Sequence, residues 1–464
     1  MTKRPAPALR DAGVKSMSPS TDPHGAPQVT VVNPGTRPEL VHAAIGLADA
    51  GMLKQYVTDI AFSPTGGEQL SRLLPDALAS RYDAGRALRT LPDELAGVPL
   101  VRRGTTLGWI NYAARQVNAP KGAQSRITRM RNRVADRATA RQLCADDDAA
   151  IFAYSGAAVS MKRCAELGVR SILNIPIAHY AYARRLLEEE ARLEPDYAAT
   201  LQFPARNPEA EAMLADELAL ADRILGCSSF HIETFVEMGI EREKFLEVPL
   251  GVDTDVFRER PDPTLRAGKD RAAAFRVLFV GQVTQRKGLS YLLEGFRQAA
   301  IPSSELTIVG NIVGTDMPLR RAKNVTHIGA RPRTELPEIY ASADVFVMPS
   351  LIEGFCLTAM EAMATGLPAI VTRNTFGDDV VRDGVEGWTI PIRDSGAIAE
   401  RLGYLSQHPD RARQMGKNAR SRAEQFSWAH FHRRLAAVVA DDLGRGGAPP
   451  APSRPVAPPE SGAR

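Results

Sequence analysis

The chain has 464 residues, 44% of them hydrophobic and 24% charged, with a net charge of +4. That length exceeds one hydrophobic core and implies two ordinary domains plus tails. The small net charge argues against a general nucleic-acid binder, and no stretch approaches a membrane span.

Residues 1–27 are rich in Pro, Ser and Ala and are expected to be disordered. A strand is expected over 28–33, a turn through Pro34, Gly35, Thr36, Arg37 and Pro38, and a helix over 39–50 stopped by Gly51. Such a unit opens a doubly wound α/β domain. Residues 81–141 are the least legible. They are helical in tendency and basic from Arg115 onward, with Lys121, Arg126, Arg129, Arg131, Arg133, Arg137 and Arg141 against the single acid Asp136. Ile127, Met130 and Val134 recur at helical spacing, so the segment reads either as a solvated helix face or as a surface for anionic lipid or an anionic acceptor.

A strand over 149–154, a helix over 161–167 and a strand over 171–175 follow. They place His179 at a strand's carboxyl end, where doubly wound sheets bind ligands. A structural histidine is the other reading. The helix expected over 180–193 is charged and carries Glu188, Glu189 and Glu190. Helices over 210–220 and 230–238 flank another strand, and polar residues 254–274 read as a linker, with the boundary near Asp255.

The second domain starts with a strand over 275–281, a loop from Gln282 to Gly288 and a helix over 289–299. A buried strand ends at Gly310, and a strand and turn reach Ala330 and Arg331. The run 343–349 is a short apolar strand. Glu353, Gly354, Phe355 and Cys356 then form a loop into a helix over 357–365, stopped by Gly366 and Pro368. The first amides of that helix, at Leu357 and Thr358, make an anion site. Gly354 lets backbone approach a ligand closely. Glu353 and Glu361 beside an anion suit hydroxyl groups, as in a phosphorylated sugar or a ribose. Helices over 397–405, 411–425 and from 426 onward precede a Pro-, Ala- and Gly-rich tail, 444–464, expected to be disordered. The cysteines Cys144, Cys164, Cys227 and Cys356 show no zinc or disulfide spacing, so a reducing compartment is expected. No apolar leader resembling a signal peptide is read at the start.

Glu353 and Glu361 form E-x7-E within EGF-x-L-x3-E-A-M-A-x-G-x-P. This resembles the donor site of the retaining family-4 glycosyltransferases of GT-B fold. Lys287 and Gly288 match the family's G-R-x4-K-G, and the segments at 221–229 and 245–253 resemble its strand and domain crossing. The resemblance covers residues 28–443. It implies two doubly wound Rossmann-like α/β domains facing across a cleft, an acceptor-side domain over 28–254, a donor domain over 255–443, and a last helix crossing back.

It also implies a nucleoside diphosphate sugar as donor, with no cofactor and no metal. Glu353 would contact the transferred sugar and Glu361 the ribose. Backbone at Gly354, Phe355, Cys356, Leu357 and Thr358 would hold the distal phosphate. Lys287 would hold the diphosphate, with Arg286 supplying the charge of the family arginine that Gln282 replaces. Gly281, Gly310, Ala330 and Arg331 would flank the nucleotide, His179 would touch the donor sugar, and Gly35 and Thr36 would line the cleft. The implied reaction moves the sugar to an acceptor hydroxyl with retention; the diphosphate oxygen takes the acceptor proton. The expected acceptor is a carbohydrate, a lipid-linked molecule or a small molecule. The expected place is the cytoplasm, with the segment from Arg126 to Arg141 offering a peripheral contact to the anionic inner face of the cell membrane. Two alternatives stand: a sugar-nucleotide epimerase of the same architecture, and a non-catalytic nucleotide-sugar binding protein, which the residue at Gln282 keeps open.

Overall fold

The computed structural model describes residues 26–35, 37–62, 76–87, 89–117, 119–145, 148–201, 208–259 and 274–444. The tails, the linker core 260–273 and Thr36 lie outside them, as do the expectations made for those residues. Two parallel sheets organise the rest. In the first, β1 (Val29–Val32), β2 (Leu53–Thr58), β3 (Leu100–Arg102), β4 (Ala150–Tyr154), β5 (Arg170–Asn174), β6 (Arg223–Gly226) and β7 (Phe245–Glu247) lie in the order β3-β2-β1-β4-β5-β6-β7. In the second, β8 (Phe275–Val280), β9 (Ser304–Val309), β10 (Val325–His327), β11 (Val345–Met348), β12 (Ala369–Thr372) and β13 (Gly387–Ile390) lie in the order β10-β9-β8-β11-β12-β13. The order reverses between β1 and β4, and again between β8 and β11. Loops diverge at the carboxyl ends of strands at such a reversal and leave a crevice. This is the expected GT-B arrangement of two Rossmann-like halves.

The central strands VFVM and AIVT are fully buried, which is why they read as unbroken apolar runs. The outer strands do not. β2 and β3 carry Lys54, Gln55 and Arg102, and the apolar pattern predicts neither strand. Lys54 instead pairs with the buried Asp148 at 3.0 Å.

The first half carries α1 (Pro38–Asp49), α2 (Asp76–Ala87), α3 (Thr105–Gln116), α4 (Lys121–Ala140), α5 (Ala158–Leu167), α6 (Tyr180–Leu193), α7 (Pro208–Leu220) and α8 (Ser229–Val236). The second carries α9 (Leu289–Ala299), α10 (Met317–Arg321), α11 (Leu336–Ala341), α12 (Leu357–Ala364), α13 (Gly377–Val380), α14 (Ser395–Gln407), α15 (Pro409–Glu424) and α16 (Trp428–Gly444). α5 starts three residues before the expected position. Its cap comes from α4: Asp136 accepts from the amides of Val159 at 2.9 Å and Ser160 at 2.8 Å. The basic segment also contains an inward residue. Arg131 is buried and meets Asp59 at 3.0 Å, where Arg89 binds the other oxygen at 3.0 Å. The expected surface therefore loses Arg131, while Arg126, Arg133 and Arg137 stay exposed.

The last helix crosses back. α16 packs along α1, and Gly46 has no side chain because a Cβ would lie 2.7 Å from His432 Cα. His42 stacks on Trp428 with ring centroids 3.7 Å apart, and its Nδ1 lies 3.1 Å from His432 Nε2. Asp442, near the end of α16, pairs with Arg223 at 2.6 Å and Arg170 at 3.3 Å in the first half. No helix among the described residues is long and apolar enough to cross a membrane.

Candidate active site

Among the expected donor residues, Arg286, Lys287, Glu353 and Gly354 lie on the two loops at the second reversal. β11 ends at Met348, and Cys356 is the N-cap of α12, which no side chain caps. The amides of Ala359 and Met360 turn back to the Cys356 carbonyl at 3.1 and 3.2 Å. Leu357 and Thr358 thus open a helix whose positive end faces out of the loop. The β8 loop passes through a tight turn at Gln285–Lys287 into α9. Gly288, at φ 75°, ends that turn, and a Cβ there would lie 2.0 Å from the Pro349 carbonyl oxygen. The two loops are packed on each other, which brings Lys287 to Glu353.

Glu353 holds both cations on one oxygen, with Arg286 Nη1 at 2.5 Å and Lys287 Nζ at 2.6 Å. Burial pushes its carboxyl up; the charges of Arg286 and Lys287 and their hydrogen bonds outweigh that and hold it below the usual carboxylate range. Arg286 also donates to the Ile352 carbonyl at 3.0 Å, and its own carbonyl accepts from Leu351 N at 2.9 Å. Two cations against one carboxylate, beside an uncapped helix opening, leave net positive potential suited to a diphosphate. Gln282 is exposed and uncharged, and the two cations of this loop that meet Glu353 are Arg286 and Lys287. Thr284 Oγ1 and Ser350 Oγ, in the same two loops, are buried without hydrogen-bond partners among the described residues. Sequence reading passes over both; the only signal is a hydroxyl residue just after each strand flanking the reversal.

Glu361, on the second turn of α12, is buried, and its Oε2 accepts from the Tyr340 hydroxyl at 2.9 Å. Burial raises its carboxyl, opposed by Arg333 and Tyr340. Among the described residues no hydrogen bond reaches Oε1. Arg331 and Ala330 are exposed, and Arg331 lies 3.9 Å from Glu335. Arg333, over the Phe257 ring at 5.4 Å, is the arginine whose charge reaches Glu361.

Several expected contacts turn out to hold the site together. A Cβ on Gly310 would lie 1.8 Å from the Gly281 carbonyl oxygen, so these glycines let the β8 and β9 loops touch. A Cβ on Gly354 would lie 2.4 Å from the Pro176 carbonyl oxygen in the first half. The close approach at Gly354 is therefore to backbone across the cleft. Ser228 Oγ donates to the Gly354 carbonyl at 2.6 Å, and Ser229 N donates to Asp379 at 2.7 Å. Phe355 packs on Phe376 at 4.9 Å, and Cys356 is a buried thiol pushed up by burial. Gly35 lies against Arg131, with its Cβ position 3.6 Å from Nη2.

His179 caps α6: its Nδ1 accepts from Ala181 N at 3.2 Å. Burial lowers its pKa to about 4. The ring is thus neutral near pH 7 with its proton on Nε2, a hydrogen-bond donor and not a base.

The family model described as Glycosyl transferases group 1 matches residues 266–422. Over those residues the second half of the chain is similar to that family. Its match contains both loops, from Lys287 to Glu361. Curated relatives carry related names. A D-inositol 3-phosphate glycosyltransferase of Nocardia farcinica is 28% identical over 55% of this chain and 59% of its own length. A GDP-mannose-dependent alpha-(1-6)-phosphatidylinositol monomannoside mannosyltransferase of Mycolicibacterium smegmatis is 30% identical over 42% of this chain and 55% of its own. The chain thus spans a little over half the length of these curated relatives. Solved structures of the same fold include Anabaena Alr3699/HepE in complex with UDP-glucose, with a TM-score of 0.57, 15% identity and coverage of 89% of this chain and 99% of that one. Sucrose-phosphate synthase from Thermosynechococcus elongatus gives 0.55, 17% identity, 90% and 100%.

Proposed function

We propose that the protein transfers a sugar from a nucleoside diphosphate sugar to an acceptor hydroxyl, with retention at the anomeric carbon. The observation that carries this is the Arg286–Glu353–Lys287 cluster at the uncapped opening of α12. The donor diphosphate lies at that opening, with Arg286, Lys287 and the helix amides meeting the charge that grows as the bond from the anomeric carbon to the diphosphate breaks. The acceptor oxygen bonds to the same face of that carbon, and its proton passes to the departing diphosphate oxygen. Glu353 accepts from hydroxyls of the sugar, Glu361 Oε1 from the ribose, and His179 Nε2 donates to the donor. No protein base is required. A resident metal or cofactor is not part of the scheme.

The acceptor side is the first half. The curated relatives named above act on phosphate-bearing acceptors by their names, and an acceptor presented at an anionic membrane fits the surface here. Trp109, Ile110 and Val117 on and after α3, Met130 and Val134 on α4, and Val159 on α5 are exposed large apolar residues on helices packed side by side. Arg126, Arg133 and Arg137 stand among them. Apolar residues ringed by arginine suit an interfacial contact.

The test is incubation with UDP-, GDP- and ADP-sugars, following nucleoside diphosphate release and sugar epimers. Diphosphate release supports transfer. An epimer without release, or neither product with any donor, refutes it.

A further inference from the structure

Glu190 is the one carboxylate of α6 that turns fully inward, and its partners all belong to the other half of the chain. Its Oε1 accepts from Gln285 Nε2 at 2.7 Å and from the Tyr291 hydroxyl at 2.9 Å. Its Oε2 accepts from Arg393 Nε at 2.8 Å, while Arg393 Nη2 reaches Glu189 at 3.1 Å. A second tie lies just beyond α6, where Thr200 Oγ1 accepts from the Gln285 amide at 2.8 Å. Gln285 is itself fully buried, and Ser290 fixes its amide by bonding both ends, Oε1 at 3.0 Å and Nε2 at 2.6 Å.

Gln285 opens the tight turn that carries Arg286 and Lys287. We propose that Glu190 is a positioning residue, set in the acceptor half to fix the turn bearing Arg286 and Lys287 when the two halves close. This rests on the transferase reading above. The chemistry favours a reversible tie. A carboxylate taken wholly out of water is held only because three donors meet it, and the gain and loss on burying such a pair nearly cancel. When the halves part, water replaces Gln285, Tyr291 and Arg393, and the turn loses its support from α6. When they meet, the turn is held on one side by Glu190 and Thr200 and on the other by Glu353. Correct placement of the two cations then coincides with closure, so charge stabilisation of the leaving group is complete only in the closed enzyme.

The experiment compares the parent chain with Glu190→Gln, Arg393→Gln and the double variant. Glutamine keeps the shape but turns a donor toward the Gln285–Tyr291 pair or toward Arg393. The first readout is amide hydrogen exchange without ligand. Glu190→Gln should speed exchange at residues 285–288 and leave the core strand β12 unchanged. The second is kinetics and titration with UDP and GDP. Turnover should fall roughly tenfold to a hundredfold, as for a lost hydrogen bond to a charged group, while diphosphate affinity stays within about threefold of the parent, since a lost transition-state contact lowers kcat without weakening ground-state binding. The double variant should be no worse than the worse single variant, because both remove one interaction. Unchanged exchange at 285–288 overturns the proposal. So does faster exchange with unchanged turnover, which makes the contact a mere tie, and so does a parallel loss of turnover, affinity and melting temperature. A parent that releases no diphosphate from any donor overturns the transferase reading and the positioning role with it; exchange at 285–288 still reports separately whether the tie exists.

Discussion

Lys287 Nζ lies 2.6 Å from the Glu353 oxygen that also holds Arg286. On the proposed reading, the carboxylate of Glu353 holds the same two cations that the diphosphate would meet. Donor binding would then exchange part of one anion for another and leave the cations paired. Lys287→Ala should lower turnover about a hundredfold, the loss typical of one donor to developing charge, while diphosphate affinity changes much less. Steady-state kinetics beside calorimetric titration of UDP and GDP checks this; a raised Michaelis constant with unchanged turnover contradicts it.

The two carboxylates of the motif should respond to acid in opposite senses. Glu353 has its folded pKa depressed below its unfolded value, so its pairing contributes stability above the ordinary carboxylate range. That contribution fades as pH falls through the depressed value. Glu361 has its folded pKa raised, so ionised Glu361 works against the fold at neutral pH. Glu361→Gln should therefore raise the melting temperature at pH 7 and lose that advantage as pH falls toward the unfolded carboxylate value. The same variant should weaken nucleoside diphosphate by roughly tenfold. Thermal melts over a pH series, with titration of each variant, check both halves of the statement.

Gly354→Ala would put a methyl group 2.4 Å from the Pro176 carbonyl oxygen. Neither atom is the end of a flexible side chain, so the two halves must shift. Turnover should drop about a hundredfold, as expected for a misplacement near 1 Å, with diphosphate still bound by the second half. A full-rate Gly354→Ala enzyme would show that this contact is not kept during turnover.

Replacing Arg126, Arg133 and Arg137 together with Gln should reduce cosedimentation with vesicles containing anionic lipid. Each basic side chain near such a surface contributes about 1 kcal/mol, and the attraction should weaken as salt rises. Nucleotide affinity should be unchanged, because none of the three touches the donor loops. Binding indifferent to lipid charge and to these residues would leave the segment as a solvated face.

The second half is readable because its chemistry and its packing coincide in short stretches. VFVM is buried on both sides, and the loop from Glu353 to Cys356 is framed by a strand and a Gly-stopped helix. The first half hides its information in long-range polar contacts. Asp136 looked like a stray acid in a basic helix, yet it caps α5. Arg131 looked like one more surface cation, yet Asp59 draws it inward across 72 residues of chain. Glu190 sits in a run of three glutamates on a charged helix, and nothing in that run tells which one finds Gln285 and Arg393. β2 is hard to read because an outer strand with a lysine and a glutamine lacks a strong period. A loop glycine reports a close approach without saying what approaches, and Gly354 has the Pro176 carbonyl beside it.

The return of α16 onto α1 sets an order of events during synthesis. The ribosome delivers the entire first half long before Trp428 appears, so the face of α1 that receives His432 and Trp428 waits uncovered while some 380 further residues emerge. Until then Arg170 and Arg223 also lack Asp442. The first half is therefore the earlier to be made and the later to be finished. A nascent chain stalled before residue 428 should hold a native-like second half beside a first half that chaperones still recognise.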